Sequence, residues 1–398
     1  MMALFLFAMT ASAFSLSSET PLEVSITGQP PYGYAVSRAT TIAMEETAWF
    51  KQDPAYRLLK VLMPDDLARK RGIQAMAYLQ DSTHAQKMRE VPVFVNYQEL
   101  SAQLPTRLLV SNMPEKVTVP RVLFEGLLTA SQPARLLFHH VNYSSYSLTA
   151  AVELLNPSAQ SVRVQIIDAE AGPSTQECEV GHRAALAFLD RESRNAGYLV
   201  SVPPSSKVTI NRTAFPMGYT VSGLAQIRIL SPGAQLVVRV NAQQRIADKG
   251  IIPLTDYTPL SIYGDYQYNT AQLYYRGTYT VDADWLFVPL GGLSMPAVRP
   301  GQELDGSYGV THFYELTARN LTSGPAEIVL GVEAAAGAAR LAYSLGGSWQ
   351  ETGVLHAGHE VTLTSFTLPP GTSRTIHLVT MPASGSYYPM RFSVHNRN

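Results

Sequence analysis

A chain of 398 residues exceeds what one hydrophobic core usually serves, so two or three domains are expected. Hydrophobic residues make up 46% of the chain and charged residues only 15%, and this low charge content favours an exported protein with an uncharged polar surface. A net charge of −1 provides no field that would attract DNA or RNA, so we expect no nucleic-acid partner.

The first residues predict an export signal. An apolar run at 3–9 is followed by Ala11-Ser12-Ala13, the small-x-small pattern that signal peptidases accept, although no Lys or Arg precedes the run. We interpret residues 1–13 as a signal peptide; the alternative is a buried strand or a ragged terminus. No later stretch reaches the roughly 18 apolar residues that span a bilayer, so no transmembrane span is expected.

The single cysteine supports a bacterial, exported protein. Cys178 has no partner for an internal disulfide, whereas secreted eukaryotic domains usually carry several. We therefore expect an extracellular, periplasmic or cell-surface location. The glycosylation sequons at Asn142, Asn211 and Asn320 are then coincidental, and Asn320 already has a role in a turn.

Residues 14–105 predict a small, mixed α/β or partly ordered N-terminal region. Residues 22–37 are typical of a strand pair, residues 54–90 have helical spacing, and residues 91–100 return to β alternation.

The next part of the chain contains an internal repeat. The stretch "VPPSSKVTI" (202–210) recurs as "LPPGTSRTI" (368–376). The segment upstream of the first copy, "LTAAVELLNPSAQSVRVQII" (148–167), likewise recurs upstream of the second copy as "FYELTARNLTSGPAEIVLGV" (313–332). Each copy predicts a strand, a polar turn and a second strand, and then a Pro-Pro loop that leads into another strand.

Short strands separated by turns predict a mainly β fold of tandem antiparallel Ig-like β-sandwiches. We place the first sandwich at 106–255 and the second, which begins with an aromatic-rich segment, at 256–398. One short helix is predicted at 180–192, capping the end of a sheet with Leu186 and Leu189.

The chain from about Leu108 onward contains the stretches "RLLVSNMPEKV", "VLFEG", "RLLFHHVNYSSYSLTAAVELLNPS", "VGHRAALAFL", "VSGLAQIRI", "GSYGVTHFYELTARN" and "LPPGTSRTIHLVTMPASGSYYPMRFSV". In these stretches it resembles a set of uncharacterised secreted bacterial proteins built from Ig-like sandwiches. The resemblance implies the fold and export, and it names no chemistry.

The segment "DYTPLSIYGDYQYNTAQLYYRGTYTVDADWLF" (256–287) is the strongest candidate for a ligand surface. Tyrosine and tryptophan bury area while keeping a polar group, which suits either a sugar-stacking surface or a seam between domains, and both interpretations stay open. The candidate ligand residues are Tyr263, Tyr266, Tyr268, Tyr275 and Trp285.

Two groups of residues are candidates for metal binding, although no cofactor is expected. Asp282 and Asp284, with Asp265 and Asp305 nearby in sequence, could supply oxygen ligands to a structural Ca²⁺. The alternative is that they are ordinary loop carboxylates.

The second group is the histidine pair His356 and His359 in "HAGH", although their context predicts a turn rather than the helix that would bring them together. His139 and His140 lie on opposite faces of a strand and cannot bind one metal together. We expect one of these two rings to pack inward and the other to face water.

Common nucleophile and phosphate-loop motifs are absent from the sequence, so an enzyme is the less favoured interpretation. The first hypothesis is a noncatalytic exported scaffold or adhesion-type protein, whose partner is a cell-envelope component, a polysaccharide or a protein. The second is a carbohydrate-binding protein that uses 256–287. The third is a glycan-directed hydrolase that uses Asp282, Asp284 or Glu315.

Overall fold

The computed structural model describes residues 21–28, 33–47, 50–51, 56–63, 73–84, 86–246, 250–251 and 266–397. Within these ranges the chain is mainly β and its sheets are mainly antiparallel, which confirms the predicted fold class.

The N-terminal region combines one helix with four strands. Its elements are β1 (Leu22–Ile26), α1 (Gly33–Glu45), β2 (Tyr56–Leu62), β3 (Ile73–Asp81) and β4 (Met88–Tyr97).

Two local predictions in this region are wrong. The second half of 22–37 enters α1 instead of a strand, and the stretch predicted to be helical, 54–90, holds β2 and β3. The Leu, Met, Ala and Gln residues of β3 favour helix, but strand pairing with β2 and β4 buries Ala75, Ala77 and Leu79 on one face.

The first sandwich follows with a long helix inserted between its strands. Its elements are β5 (Arg107–Ser111), β6 (Lys116–Val117), β7 (Arg121–Thr129), β8 (Ala134–Asn142), β9 (Leu148–Asn156), β10 (Val162–Ser174), α2 (Glu177–Ser193), β11 (Tyr198–Val202), β12 (Ser206–Phe215), β13 (Thr220–Ile229), β14 (Gln235–Ile246) and β15 (Gly250–Ile251).

The second sandwich is built from shorter strands. Its elements, with the linking strand that precedes it, are β16 (Gln267–Tyr268), β17 (Gln272–Thr280), β18 (Leu286–Leu290), β19 (Met295–Pro296), β20 (Glu303–Leu304), β21 (Thr311–Arg319), β22 (Ala326–Ala334), β23 (Ala338–Ala339), β24 (Ala342–Leu345), β25 (Trp349–Glu351), β26 (Leu355–His356), β27 (Val361–Leu368), β28 (Ser373–Thr380) and β29 (Met390–Asn396).

Four larger sheets and two two-stranded pairs, β19-β20 and β23-β26, organise the described strands. Sheet 1 has the order β16-β5-β8-β13-β10-β11-β1-β4-β3-β2 with β6 beside β8, and sheet 2 has the order β12-β9-β14-β15 with β7 beside β14. Sheet 3 has the order β17-β21-β28-β24-β25, and sheet 4 has the order β18-β29-β22-β27. Sheets 1 and 2 enclose one core and sheets 3 and 4 enclose another.

The N-terminal strands extend the first sandwich. β1 pairs with β11 in antiparallel orientation and with β4 in parallel orientation, so the predicted boundary at residue 105 falls within one continuous sheet. The same core runs from Val36 of α1 to Ile166 of β10.

A buried asparagine explains the repeated sequence. In the first copy Nδ2 of Asn156 donates to the carbonyl oxygens of Val202 (3.0 Å) and Gln160 (2.7 Å), and Oδ1 accepts the backbone N–H of Ser158 (3.0 Å). Asn156 ends β9 in sheet 2, and β10, which follows the turn, belongs to sheet 1. The side chain of Asn156 therefore stabilises the crossover between the two sheets and connects it to the end of β11 by hydrogen bonds.

The second copy has the same arrangement. Asn320 donates to the carbonyl oxygens of Leu368 (2.9 Å) and Gly324 (2.8 Å) and accepts the N–H of Thr322 (3.0 Å). We call this arrangement the asparagine clamp. In these two copies it uses the Asn, the Ser or Thr two residues later, and the residue before the Pro-Pro pair, which are positions that the two copies share.

A third clamp lies outside the recognised repeat. Asn142 donates to the carbonyl oxygens of Phe215 (2.9 Å) and Tyr146 (2.8 Å) and accepts the N–H of Ser144 (2.8 Å). Asn142 and Asn320 are both fully buried, so the amides of these two sequons are used inside the fold.

Changing Asn320 to Asp tests the clamp. Aspartate has the same shape as asparagine, but a carboxylate oxygen replaces the Nδ2 donor and faces the two carbonyl oxygens that Nδ2 bonds. We therefore expect the free energy of unfolding to fall by about 2–4 kcal/mol. Urea denaturation measures the change, with Asn269→Asp on the exposed surface as the matched control. Equal stability of the two variants would contradict the role of the clamp.

A third apolar core joins the two sandwiches. α2 covers the outer face of sheet 1, across β10 and β13, rather than capping a sheet end as predicted. The second sandwich packs against this helix so closely that a Cβ at Gly181 would lie 1.8 Å from the carbonyl oxygen of Ser384. The third core contains Leu108, Val110, Leu137, Ile167, Ala184, Phe188, Leu189, Leu224, Tyr268, Met295, Leu304, Val310 and Met381, among others.

Arg135 of β8 crosses this junction. Its side chain is fully buried, and Nη1 donates to the carbonyl oxygen of Gly309 (2.7 Å) and to Oγ1 of Thr311 (2.9 Å) in the second sandwich. Nη2 pairs with Oε1 of Glu192 on α2 (2.6 Å). A guanidinium has enough donors in one plane to connect these elements at once.

We expect Arg135→Gln to lower the free energy of unfolding by about 3–5 kcal/mol, because it leaves Glu192 as a buried, unpaired charge. Arg183 is a matched control, since its side chain is 71% exposed and Arg183→Gln removes only a surface ion pair, worth about 0–1 kcal/mol. Chemical denaturation of both variants measures the difference, and a loss no larger in Arg135→Gln than in the control would rule out Arg135 as the link between the sandwiches.

Candidate functional site

The predicted ligand residues separate into buried and exposed groups. Tyr268 is only 1% exposed and belongs to the third core, where burial raises the pKa of its hydroxyl to about 12. Tyr266 is half-buried, and its backbone N–H donates to Oε1 of Gln302 (2.9 Å). Tyr263 lies outside the described residues. Tyr268 is therefore a packing residue and not a ligand surface.

Tyr275 lies on the inner side of sheet 3. Its ring stacks on Tyr314, with centroids 4.9 Å apart, and packs against the second core. Its neighbour Tyr274 points the other way and is 68% exposed. Successive residues of a strand alternate faces, so only one of two adjacent tyrosines can be presented to a ligand, and it is the one that the sequence did not single out.

The exposed Tyr274 forms an aromatic pair with the partly buried Phe313. β17 and β21 run parallel, in a register that places these residues side by side, and their rings are 4.9 Å apart and inclined by 11°. The hydroxyl of Tyr274 donates to Oε1 of Gln272 (2.7 Å), which orients the ring. The result is a stacked aromatic pair on the outer face of sheet 3, in which Phe313 supports the exposed ring of Tyr274.

A polar row lies beside this pair. The next outward positions on β17, β21 and β28 are Arg276, Glu315 and His377, and Nε of Arg276 lies 3.7 Å from Oε2 of Glu315. We call these three residues, with Tyr274 and Phe313, the aromatic platform.

A shallow depression of about 460 Å³ lies over the platform. Beyond the polar row, Oγ1 of Thr317 and Oγ1 of Thr375 are 3.0 Å apart. The face thus offers an apolar stacking surface, charged groups and hydroxyls in adjacent rows.

Trp285 lies on the other sheet of the same sandwich. It is 49% exposed and stacks on His395, with centroids 3.8 Å apart, while Phe287 beside it is 45% exposed. The guanidinium of Arg391 lies 4.4 Å from the centre of the Phe287 ring. We call these four residues the Trp285 patch. They form a second aromatic surface, without the hydroxyl rows of the platform.

The candidate calcium residues lie in exposed positions. Asp282 and Asp284 form a turn after β17, and Oδ1 of Asp282 accepts from Nδ2 of Asn396 (3.4 Å). Asp305 accepts a hydrogen bond from Ser294, and Asp265 lies outside the described residues.

The candidate histidine pair is exposed as well, since His356 and His359 lie on the surface of a turn. Among the residues that the structure describes, no group of three or more His, Cys, Asp or Glu side chains is placed to hold a metal ion. Glu315, named as a possible hydrolase residue, has Arg276 as its ionic partner.

A cleft of about 270 Å³ lies between the sandwiches. Asn112, Glu115 and His139 come from the first sandwich, Glu177 from the start of α2, and Tyr308 with residues 384–387 from the second. Neither glutamate stands out in the sequence, because their proximity depends on how α2 packs in the fold and not on spacing along the chain.

His139 and His140 differ from expectation in one respect. His140 packs inward, where Nε2 contacts Oγ of Ser111 (2.9 Å) and Nδ1 donates to the carbonyl oxygen of Pro114 (3.0 Å). His139, on the opposite face, does not face water as expected: it is 3% exposed because the second sandwich covers it. Burial lowers the pKa of His139 to about 4.

His140 and His312 make the free energy of unfolding depend on pH. Burial lowers the pKa of each to about 3, and His312 is held neutral between Oγ of Ser307 (2.9 Å) and the hydroxyl of Tyr314 (3.3 Å). An unfolded histidine titrates near pH 6.5, so the unfolded state binds more protons below that pH. The contribution of each buried, neutral histidine to the free energy of unfolding is therefore fully present above pH 6.5 and declines as the pH falls toward 3.

For each of these two histidines we expect a loss of about 2 kcal/mol between pH 6.5 and pH 5. In urea denaturation at pH 7 and pH 5, His312→Gln should be less stable than wild type at pH 7 and should lose less stability on acidification. The exposed control His359→Gln should follow the wild-type pH dependence. A pH dependence of His312→Gln identical to wild type would exclude this role for His312.

Comparisons with known proteins are weak. No protein-family model matches the chain, and no curated protein matches it. Lac15 from a marine microbial metagenome is 12% identical over 80% of this chain and 70% of that one, with a TM-score of 0.11.

Two other solved structures are similarly distant. The PBSX exported protein XepA is 10% identical over 69% of this chain and 86% of its own, with a TM-score of 0.17. The N-terminal CBM22-1-CBM22-2 tandem domain of Xyn10C from Paenibacillus barcinonensis is 9% identical over 86% of this chain and 84% of that one, with a TM-score of 0.13. Likeness at this level carries no argument about function.

In the described ranges, neither α1 nor α2 combines the length and the apolar character that a membrane crossing requires.

Proposed function

We propose that this chain is an exported carbohydrate-binding protein whose binding surface is the aromatic platform. The observation that carries the proposal is the exposed ring of Tyr274, which stacks on the partly buried Phe313 beside Arg276, Glu315 and His377. The flat apolar faces of sugar rings stack on such rings, and sugar hydroxyls bond to the charged and polar groups next to them. The low charge content and the single cysteine support export.

The platform suits a chain of several sugars. The aromatic pair, the polar row and the threonine pair Thr317 and Thr375 follow one another along the strands of sheet 3, at successive outward positions two residues apart. Outward positions on one strand are about 6.6–6.8 Å apart, which is within the reach of neighbouring sugar units. The depression is open to solvent at the sheet surface, so a polymer can lie across it.

The test is binding of the mature chain (14–398) to a panel of bacterial and plant polysaccharides, followed by calorimetry on any that bind. We expect the double variant Tyr274→Ala, Phe313→Ala to lose about tenfold or more in affinity, because losing one stacking surface costs about 1.4 kcal/mol. Trp285→Ala, which removes an exposed aromatic from the opposite sheet, is the matched control and should bind like wild type.

Both variants are first checked for wild-type thermal unfolding. Retained affinity in the folded double variant would reject the platform, and loss of binding in Trp285→Ala alone would move the site to the Trp285 patch.

A scaffold or adhesion-type protein is the second candidate. The third core and Arg135 support it, because they join the two sandwiches through a buried apolar contact, which suits a rigid body that presents surfaces to an envelope partner. Absence of binding by wild type across the whole panel would put this candidate first.

A further inference from the structure

The cleft at the junction carries an unsatisfied polar group. Both ring nitrogens of His139 are buried without a hydrogen-bond partner, although the residue lines the cleft. Buried polar atoms are nearly always paired, so an unpaired side chain at a cleft wall indicates a missing partner. Its neighbour His140, by contrast, has both nitrogens bonded to the protein.

The cleft is acidic. Oε1 of Glu115 lies 4.0 Å from Nε2 of His139, and Glu177, the first residue of α2, also lines the cleft. Burial and the nearby Glu177 raise the pKa of Glu115, with Lys116 opposing them, so the two carboxylates repel each other across the cleft. The ammonium group of Lys116 lies 4.8 Å from the centre of the Tyr143 ring, and neither residue lines the cleft.

The geometry points to a binding site for a primary ammonium group. An ammonium nitrogen about 2.8 Å from each atom fits between Nε2 of His139 and Oε1 of Glu115, which are 4.0 Å apart. The positive charge compensates the acidic cleft, and the donated protons satisfy Nε2 of His139 and the carboxylate of Glu115 together. The side chain of Glu115 is 49% exposed, so it can rotate to admit the ligand.

The residues disfavour a metal ion. Zinc sites in proteins take three or four protein ligands, and among the described residues no group of three or more His, Cys, Asp or Glu side chains is placed to hold a metal. The ligand class is therefore a small amine, such as an alkylamine, an amino sugar or an exposed lysine side chain. The site is separate from the aromatic platform and does not depend on carbohydrate binding there.

The test follows the ring nitrogens of His139 by NMR in protein labelled with ¹⁵N-histidine, with His139→Gln used to assign the signal. The probe is n-butylammonium chloride at pH 7.5 and constant ionic strength, and n-butanol serves as the neutral control. We expect a saturable shift of the His139 signal with n-butylammonium and none with n-butanol. Glu115→Gln and Glu177→Gln should each weaken binding at least fivefold, whereas Glu303→Gln, an exposed control, should not.

Three outcomes would overturn the site. The first is an unchanged His139 signal at saturating n-butylammonium, and the second is an equal response to n-butanol. The third is stoichiometric binding of Zn²⁺ with no response to the amine, which would make the cleft a metal site. The wild-type measurement decides the question even if a glutamate variant fails to fold, since the probe and its neutral control need no substitution.

Discussion

The buried junction between the two sandwiches is the contact on which the surfaces of this protein depend. Arg135 extends from the first sandwich into the second and binds a carbonyl, a hydroxyl and a carboxylate that belong to different elements. A guanidinium without water needs all of these partners, so the sandwiches cannot separate without leaving charges unsatisfied. The cleft with Glu115, His139 and Glu177 exists only while this contact holds, because its walls come from both halves.

Within each sandwich a second constraint recurs on a smaller scale. The asparagine clamp replaces backbone pairing where the chain passes from one sheet to the other, since a crossover leaves carbonyl groups that no strand can bond. Asn142, Asn156 and Asn320 each donate to a carbonyl at the end of a distant strand and to another inside their own turn. The repeated sequence thus reflects one recurring hydrogen-bonded arrangement, the asparagine clamp. The sequon residues Asn142 and Asn320 are part of it.

The two proposed sites arise from different levels of structure. The aromatic platform follows from a single sheet, where parallel pairing of β17 with β21 sets Tyr274 beside Phe313. The cleft follows from the packing of the two sandwiches, which buries His139 and places residues 384–387 opposite Glu115 and Glu177. A ligand at the first site contacts one sheet, whereas a ligand at the second lies in a cleft that residues of both sandwiches line.

The sequence by itself determined the β class, the two repeated units, the turns at Asn156 and Asn320, and the opposite faces of His139 and His140, because each depends on short-range alternation or on turn chemistry. Only the tertiary structure decided which tyrosine of the pair at 274 and 275 faces solvent, that β3 is a strand despite its helix-forming residues, and that the face carrying His139 is covered. Those outcomes depend on register and on contacts between residues far apart in the chain, and local propensity carries no information about either.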